Sequence, residues 1–191
     1  YRSDMDDILR KMFLSATKEY PSLLFFEYRK ADEMSLYQNY ESKDDISAWE
    51  SMLESILFAG FQITAIWPVR NEVYSEKADA TRVLIVIRKA ERQNQITRRN
   101  FINLLKRELP IKLEQLFLGE IDEQDRSLTA MGAGLQIFSQ YKKILNADAS
   151  LMSVHDALQI INQETREYID QHFNTRGGAD TITKEEETHA R

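Results

Sequence analysis

Two apolar runs separated by a short polar stretch constrain the fold of this chain more than any other feature of its sequence. Residues 61–69 read FQITAIWPV and residues 82–89 read RVLIVIRK, and both are rich in the β-branched and aromatic side chains of strands. The polar stretch between them, RNEVYSEKADAT, leaves no room for the helical crossover that joins two parallel strands. We therefore predict that the two runs pair as an antiparallel hairpin.

An alternation of helices and strands precedes this hairpin. Apolar residues recur at helical spacing over residues 5–16, and the continuous run Leu23–Phe26 is typical of a strand covered on both faces. A second apolar stripe over residues 46–57 predicts a helix that Asp45 caps and that ends at Gly60, a residue suited to a left-handed C-cap. This order predicts a doubly wound α/β sheet, and a hairpin at its edge resembles the end of the methyltransferase variant of the Rossmann fold. We assign residues 1–90 to the second, carboxyl-terminal half of such a domain.

The rest of the chain is predicted to be a helical extension, residues 91–173, followed by a disordered tail, residues 174–191. Thr97 is placed to cap one helix, and Ser153 with Asp156 forms the capping pair of another. The tail holds two glycines and many charges with almost no apolar side chains, which is the composition of a disordered segment.

A pair of glycines lies between the two predicted helices of the extension. Gly132 and Gly134 are too sparse for a phosphate-binding loop, because the lysine and the preceding strand of such a loop are missing. We expect them to mark either a helix break or a site of close packing.

The composition excludes several classes of site. The net charge of −6 argues against a general nucleic-acid binder, and the absence of cysteine excludes disulfides and thiolate zinc sites. The three histidines, His155, His172 and His189, are scattered without the spacing of metal ligands, so we expect no metal site. The lack of cysteine is also typical of a cytoplasmic protein, and no apolar stretch approaches the length of a membrane span.

Three blocks of sequence resemble one family of enzymes. The segment AWESMLESILFAGFQITAIWPVRNE, residues 48–72, resembles a stretch of the bacterial and archaeal adenine-specific DNA methylases that often carry a zinc ribbon. ITRRNFINLLKRELP, residues 96–110, resembles the helix after the last sheet strand of that family, and residues 130–163 resemble its closing segment. The similarity runs from about residue 4 to residue 170, with the blocks in the order that the family has.

The resemblance implies transfer of a methyl group from S-adenosylmethionine to the exocyclic amine of adenine in DNA. That family holds its cofactor with a glycine-rich turn and catalyses transfer with an Asp-Pro-Pro-Tyr motif. Neither motif is present, since Gly60 is the first glycine and no two prolines are adjacent. By resemblance, this chain is therefore the carboxyl-terminal part of the enzyme and holds no catalytic residue. We expect S-adenosylmethionine to bind the full-length protein and not this fragment alone.

The implied context is restriction-modification or phage defence, with DNA and the subunits of such a system as partners. The chain begins at Tyr1 with a helical pattern within a few residues, which we interpret as a piece of a longer polypeptide. The alternative is a non-catalytic module of a defence or modification system that binds DNA or another protein.

One candidate site lies at the end of the strand that contains residues 61–69. Ligands of α/β sheets bind beyond the carboxyl ends of the parallel strands, where Trp67, Arg70 and Glu72 are expected. These three side chains are candidates for the rim of the active site, around a flipped adenine or the adjacent phosphates. The alternative is that Trp67 packs under an edge helix while Arg70 and Glu72 pair on the surface.

A second candidate site is the basic face of the helix that begins after Thr97. At 100° per residue, Arg99, Lys106 and Arg107 fall in one sector opposite the apolar stripe, while Arg98 lies nearer its boundary. Three cations in one sector can contact DNA phosphates without reading the sequence. The alternative is an ordinary solvated helix face.

Overall fold

The computed structural model describes residues 2–29, 47–69, 80–119 and 121–173. The fold is mixed α/β, with helices and strands in this order: α1 (Arg2–Ser15), β1 (Ser22–Arg29), α2 (Ala48–Ala59), β2 (Gln62–Val69), β3 (Ala80–Arg88), β4 (Gln93–Thr97), α3 (Arg98–Phe117), α4 (Glu123–Phe138), β5 (Tyr141–Leu145) and α5 (Val154–His172). The predicted tail, residues 174–191, lies outside the described residues.

The first three strands form one sheet in the order β1-β3-β2. Strands β2 and β3 pair antiparallel, as the sequence predicts, with Trp67 opposite Leu84. Strand β3 also pairs antiparallel with β1, so that it occupies the centre of the sheet. The predicted pairing of β2 with β3 is therefore confirmed, but the prediction of an otherwise parallel sheet is wrong. Both pairings in this sheet are antiparallel, and β3 lies at its centre rather than at its edge. Because β1 and β2 both oppose β3, they run parallel to each other without touching.

A second sheet lies in the segment predicted to be entirely helical. Strands β4 and β5 pair in parallel, from Gln93 opposite Tyr141 to Thr97 opposite Leu145. The chain then turns back so that Leu151 bridges antiparallel to Leu145. Two helices, α3 and α4, connect the two strands, which is the kind of long crossover that a parallel pair requires.

The helix boundaries largely follow the capping signals in the sequence. Gly60 ends α2 in the left-handed region with φ 106°, and Thr97 caps α3 by accepting a hydrogen bond from Asn100 N. Ser153 and Asp156 form the predicted capping box of α5. The prediction that Asp45 caps α2 is wrong, because the cap is Ser47, whose side chain accepts a hydrogen bond from Glu50 N at 3.2 Å. The caps at the ends of α2, α3 and α5 pair backbone N–H and C=O groups that have no partner within their own helix.

One face of the three-stranded sheet contributes to the core, and the opposite face remains open. Ile63, Ile66, Val83, Ile85 and Ile87 are fully or almost fully buried on the inner face. On the side of β1, the ring of Trp49 from α2 packs against Phe26 at 5.5 Å and Tyr28 at 5.1 Å between centroids.

The outer face of the same sheet is apolar and largely uncovered. The strand register places Phe25, Leu84 and Trp67 in one row across the sheet. Phe25 is 69% exposed and Trp67 is 39% exposed. Leu23, in the neighbouring row, is 55% exposed, so the expectation that β1 is covered on both faces is wrong. Exposed apolar side chains that form contiguous rows are typical of surfaces that contact another protein, a membrane or a ligand.

Helix α4 covers the free edge of β2 and is itself covered by α5. A Cβ on Gly132 would lie 2.5 Å from the backbone nitrogen of Ile66, so glycine permits the approach of the helix to the strand. A Cβ on Gly134 would lie within 3.0 Å of three side-chain carbons of Ile161 in α5. Of the two explanations that the sequence left open for these glycines, close packing is therefore the correct one, because both lie inside a continuous helix.

Candidate functional site

The structure places one of the three predicted rim residues. Trp67 lies near the carboxyl end of β2, on the outer face of the sheet. Arg70 and Glu72 lie outside the described residues. Trp67 is 39% exposed, so it is only partly covered by the neighbouring elements.

Trp67 borders a cavity of about 220 Å³ where β2 meets helices α3 and α4. Its described lining consists of Thr64, Ala65, Ile66, Trp67, Lys112, Gln115, Leu116, Thr129, Ala133 and Gln136. The ten residues comprise apolar walls, several hydrogen-bonding groups and one cation, with no carboxylate among them. This mixture of an apolar surface with a few polar groups is typical of ligand sites.

Helical periodicity brings the lining residues of α3 and α4 together. Lys112, Gln115 and Leu116 are three and four residues apart on α3, so they share a face. Thr129, Ala133 and Gln136 follow the same spacing on α4. The sequence contains this three- and four-residue spacing, but the spacing indicates a shared face only once residues 123–138 are known to form a helix.

The polar groups of the cavity are only partly paired with one another. Lys112 Nζ donates to Gln136 Oε1 at 2.9 Å, and Thr64 Oγ1 donates to the carbonyl oxygen of Val86 at 3.1 Å. Thr129 is 3% exposed, and its hydroxyl has no hydrogen-bond partner among the residues that the structure describes. The hydroxyls of Ser55 and Thr165, which do not line this cavity, are also buried without a partner among the described residues, so the Thr129 hydroxyl does not distinguish the cavity.

The predicted basic face of α3 is exposed, as helical periodicity requires. Arg99, Lys106 and Arg107 are exposed, whereas Phe101 and Leu105 are buried on the opposite side. Lys106 Nζ lies 3.4 Å from Glu164 Oε1 of α5, and Arg107 pairs with its neighbour Glu108 at 3.3 Å. The ion pair to α5 leaves Lys106 less able to contact a phosphate than the sequence alone suggested.

Arg92 joins the three-stranded sheet region to the extension and was not singled out from the sequence. Its guanidinium donates to the carbonyl oxygens of Leu57 at 3.0 Å, Ser139 at 2.8 Å and Tyr141. Burial lowers the pKa of this guanidinium from its usual value, because the charged form loses water. The carbonyl oxygens belong to the ends of α2 and α4 and to the start of β5, so Arg92 holds three elements at one point.

A buried carboxylate links α2 to α5. Glu50 is almost completely buried, and its Oε1 lies 2.9 Å from Nδ1 of His155. Glu50 lies in the first turn of α2, and His155 lies in the first turn of α5. The pair positions α5 against α2.

Among the residues that the structure describes, no group of three or more histidine, aspartate or glutamate side chains is placed to hold a metal ion. Within the same described ranges, no helix combines the length and the apolar content needed to cross a membrane.

Comparison of the chain with protein-family models, with curated proteins and with solved structures finds no match.

Proposed function

We propose that this chain is the carboxyl-terminal part of an S-adenosylmethionine-dependent adenine-specific DNA methyltransferase. The support is topological. Strands β1 and β2 run parallel and are connected through α2, and β3 then returns antiparallel between them. A final antiparallel strand next to parallel strands is the ending that a Rossmann-like methyltransferase sheet would have.

The open face of the sheet supports the same proposal. Sheets with parallel strands and helical crossovers normally have both faces covered. Here α2 lies on one side, while Phe25 and Leu23 of β1 are exposed on the other. Further strands and helices of a larger enzyme would cover this side and continue the sheet beyond β1.

The chemistry would reside in the rest of that enzyme. Methyl transfer to an adenine amine requires a bound cofactor, a base extruded from the duplex and an in-line approach of the nitrogen to the methyl group. The sequence contains neither the glycine-rich turn nor the Asp-Pro-Pro-Tyr motif that the resemblance associates with these tasks. The present chain would supply the edge of the sheet, and Arg99, Lys106 and Arg107 would contact DNA phosphates.

The second candidate is a non-catalytic module that binds DNA or a protein subunit of a defence or modification system. The open apolar rows of the sheet favour it, because they would serve equally well as a surface for another protein. The two candidates differ in whether the full-length polypeptide transfers methyl groups.

The deciding experiment uses the natural full-length polypeptide that contains this sequence. It is incubated with unmethylated DNA and S-adenosylmethionine labelled in the methyl group. We expect label in N6-methyladenine, and none after substitution of the aspartate of an upstream Asp-Pro-Pro-Tyr motif. DNA binding without methyl transfer, or a full-length sequence that lacks both motifs, would contradict the methyltransferase proposal and favour the module.

A further inference from the structure

We propose that the free edge of β4 is a docking site for a second copy of this chain, and that the two β4 strands pair antiparallel about a twofold axis at Gln95. The pairing would join the two small sheets into one sheet of four strands, in the order β5-β4-β4-β5. The inference rests on residues 91–99 and does not depend on the methyltransferase proposal.

Strand β4 is open along one edge. It pairs with β5 on one side, and no strand of the described residues lies along its other side. Three consecutive residues of β4, Gln93, Asn94 and Gln95, are exposed. Successive side chains point to opposite faces of a sheet, so neither face of β4 is covered at these positions. A partner strand therefore has access to this edge.

The backbone groups along this edge are oriented for another strand. The N–H of Gln93 donates to the carbonyl oxygen of Gln140 at 2.7 Å, on the side of β5. The N–H and C=O groups of successive residues point to opposite sides of a strand, so those of Asn94 and Ile96 point away from β5. Edges that avoid pairing commonly carry charges or proline, and β4, which reads QNQIT, has neither.

The small sheet is itself incomplete. Parallel strands usually lie in larger sheets with both faces covered, and a sheet of two strands is marginally stable by itself. Here the sheet has two parallel strands, and most of one of them is exposed. A second copy would raise the number of strands to four and place both β4 strands in the interior of the sheet.

The side chains of β4 fit a second β4 in one register. In this register Asn94 faces Ile96 of the second copy, and Gln95 lies opposite its own equivalent. An amide side chain both donates and accepts, so two glutamines can bond to each other across the axis. On the same face Gln93 lies opposite Thr97, whose hydroxyl accepts the capping bond of α3 and keeps its own proton to donate.

The charges that flank β4 are complementary in the same register. Glu91 precedes the strand and would approach the first turn of α3 in the second copy, which holds Arg99. That turn contains no acidic residue, and a carboxylate there also stabilises the helix N-terminus. The side chain of Glu91 is 88% exposed and pairs with Lys18 at 2.7 Å, but a carboxylate can accept from more than one cation. Two such contacts related by the axis favour a second copy over an unrelated strand.

The dimer is expected to be weak and reversible. Two paired strands of 5 residues bury less than the roughly 1,200–2,000 Å² of stable interfaces, so monomer and dimer should coexist. A contact between Glu91 and Arg99 would be exposed and easily exchanged for a phosphate, so it is compatible with the DNA contact proposed for Arg99.

Amide hydrogen exchange, followed by nuclear magnetic resonance, tests the edge directly. The 191-residue chain is examined from micromolar to millimolar concentration, and sedimentation velocity gives the fraction of dimer. We expect exchange of the Asn94 and Ile96 amides to slow in proportion to the remaining monomer, by about tenfold where about nine-tenths of the chain is dimeric. The Gln93 and Gln95 amides face β5 and should change little.

Substitutions test the register. Gln95→Lys places two ammonium groups opposite each other at the axis and is expected to raise the dissociation constant of the dimer by about tenfold. Ser127→Lys adds the same charge to the exposed face of α4 and should leave this constant unchanged. Glu91→Arg and Arg99→Glu should each raise it several-fold, because like charges would then face each other. The double variant restores opposite charges and should recover the affinity of the unsubstituted chain.

Each contrary result overturns the proposal. A chain that stays monomeric over the whole concentration range, or equal slowing of all the β4 amides, would exclude pairing along this edge. A dimer that survives Gln95→Lys but is lost in Phe25→Lys would use the open face of the three-stranded sheet instead. A double variant that is folded but fails to recover affinity would exclude the register. Circular dichroism establishes folding, and if Gln95→Lys does not fold, the exchange pattern of the unsubstituted chain still decides.

Discussion

The hydroxyl of Ser139 makes both of the hydrogen bonds that a neighbouring strand would make with Ile63. It accepts from the backbone nitrogen of Ile63 and donates to its carbonyl oxygen, each at 3.0 Å. Ile63 lies in β2, whose second edge faces α4 rather than another strand. One buried side chain thus replaces a strand partner at this point of the edge, which would otherwise hold unpaired backbone groups.

Ser139→Ala should therefore destabilise the protein although it removes a single oxygen atom. Both backbone groups of Ile63 would remain buried without partners, and we expect the free energy of unfolding to fall by about 1–3 kcal/mol. The measurement is urea denaturation followed by circular dichroism. Ser127→Ala, on the exposed face of α4, the helix that ends just before Ser139, is the matched control and should change stability by less than about 0.5 kcal/mol. Equal effects of the two substitutions would contradict the bridging role of Ser139.

Alanine substitutions at the glycines of α4 should reverse the usual preference of helices. In an exposed helix interior, Gly→Ala stabilises by about 0.5–1 kcal/mol. Here the new Cβ of Gly132→Ala would meet the backbone of Ile66, and that of Gly134→Ala would meet the side chain of Ile161. We expect each substitution to destabilise by about 1–3 kcal/mol, because the packing leaves no space.

A double-mutant cycle distinguishes the two clashes. Ile161→Ala removes the carbons that Gly134→Ala would meet, so the double variant should be more stable than the sum of the single effects by about 1 kcal/mol or more. Gly132→Ala combined with Ile161→Ala serves as the control and should be additive, since the Gly132 clash is with Ile66. Additivity in both cycles would exclude the proposed contact between Gly134 and Ile161.

The parts of the fold that the sequence predicts correctly are those determined by local chemistry. The hairpin of β2 and β3 follows from two apolar runs and a connection too short for a helix. The caps at Gly60, Thr97 and Ser153 follow from side chains and backbone angles within one turn. Each of these features depends on residues that are near one another in the chain.

The parts that the sequence does not predict depend on contacts between distant segments. Strands β4 and β5 read QNQIT and YKKIL, which are short and polar, and they are strands because each supplies the partner of the other. Helix α4 contains two glycines that weaken a helical pattern, and close packing against Ile66 and Ile161 explains them. The cavity beside Trp67 combines residues from β2, α3 and α4, so no single stretch of sequence reveals it.

Loss of the Arg92 side chain should loosen the junction between the sheet region and the extension. Arg92→Met removes three hydrogen bonds and leaves carbonyl oxygens of α2, α4 and β5 without this donor. We expect a loss of about 2–4 kcal/mol in the free energy of unfolding. Arg92→Lys should recover only part of this loss, because an ammonium lacks the planar fork that reaches several acceptors. Arg10→Met, on the exposed surface of α1, is the control. An equal loss of unfolding free energy in this variant would contradict the role of Arg92 in joining α2, α4 and β5.

S-adenosylmethionine should not bind this 191-residue chain by itself. The glycine-rich turn that would approach the cofactor is absent from the sequence, since Gly60 is the first glycine and serves as a helix cap. Isothermal titration calorimetry of the chain should therefore give no saturable heat. Binding with one-to-one stoichiometry at micromolar concentration would contradict our proposal that the cofactor site lies in another part of a methyltransferase.

The basic face of α3 yields the sharpest test of DNA contact. Arg99 forms no ion pair within the part of the chain that the structure describes, whereas Lys106 is paired with Glu164 of α5 and Arg107 with adjacent Glu108. A pair between exposed neighbours such as Arg107 and Glu108 is weak and easily exchanged for a phosphate. We therefore expect Arg99→Gln and Arg107→Gln to weaken DNA binding more than Lys106→Gln does.

The triple variant of Arg99, Lys106 and Arg107 to glutamine, in the full-length polypeptide, should weaken binding to all DNA sequences alike. Its log–log salt dependence should be shallower by roughly 0.9 for each phosphate that the protein no longer neutralises, because fewer counterions are released. Glutamine at Arg10, Lys11 and Lys18 removes the same charge from another surface and should leave the slope unchanged. If the two triple variants flatten the slope equally, net charge rather than α3 governs binding. If neither changes it, this helix face is simply solvated and the phosphates are bound by other parts of the full-length polypeptide.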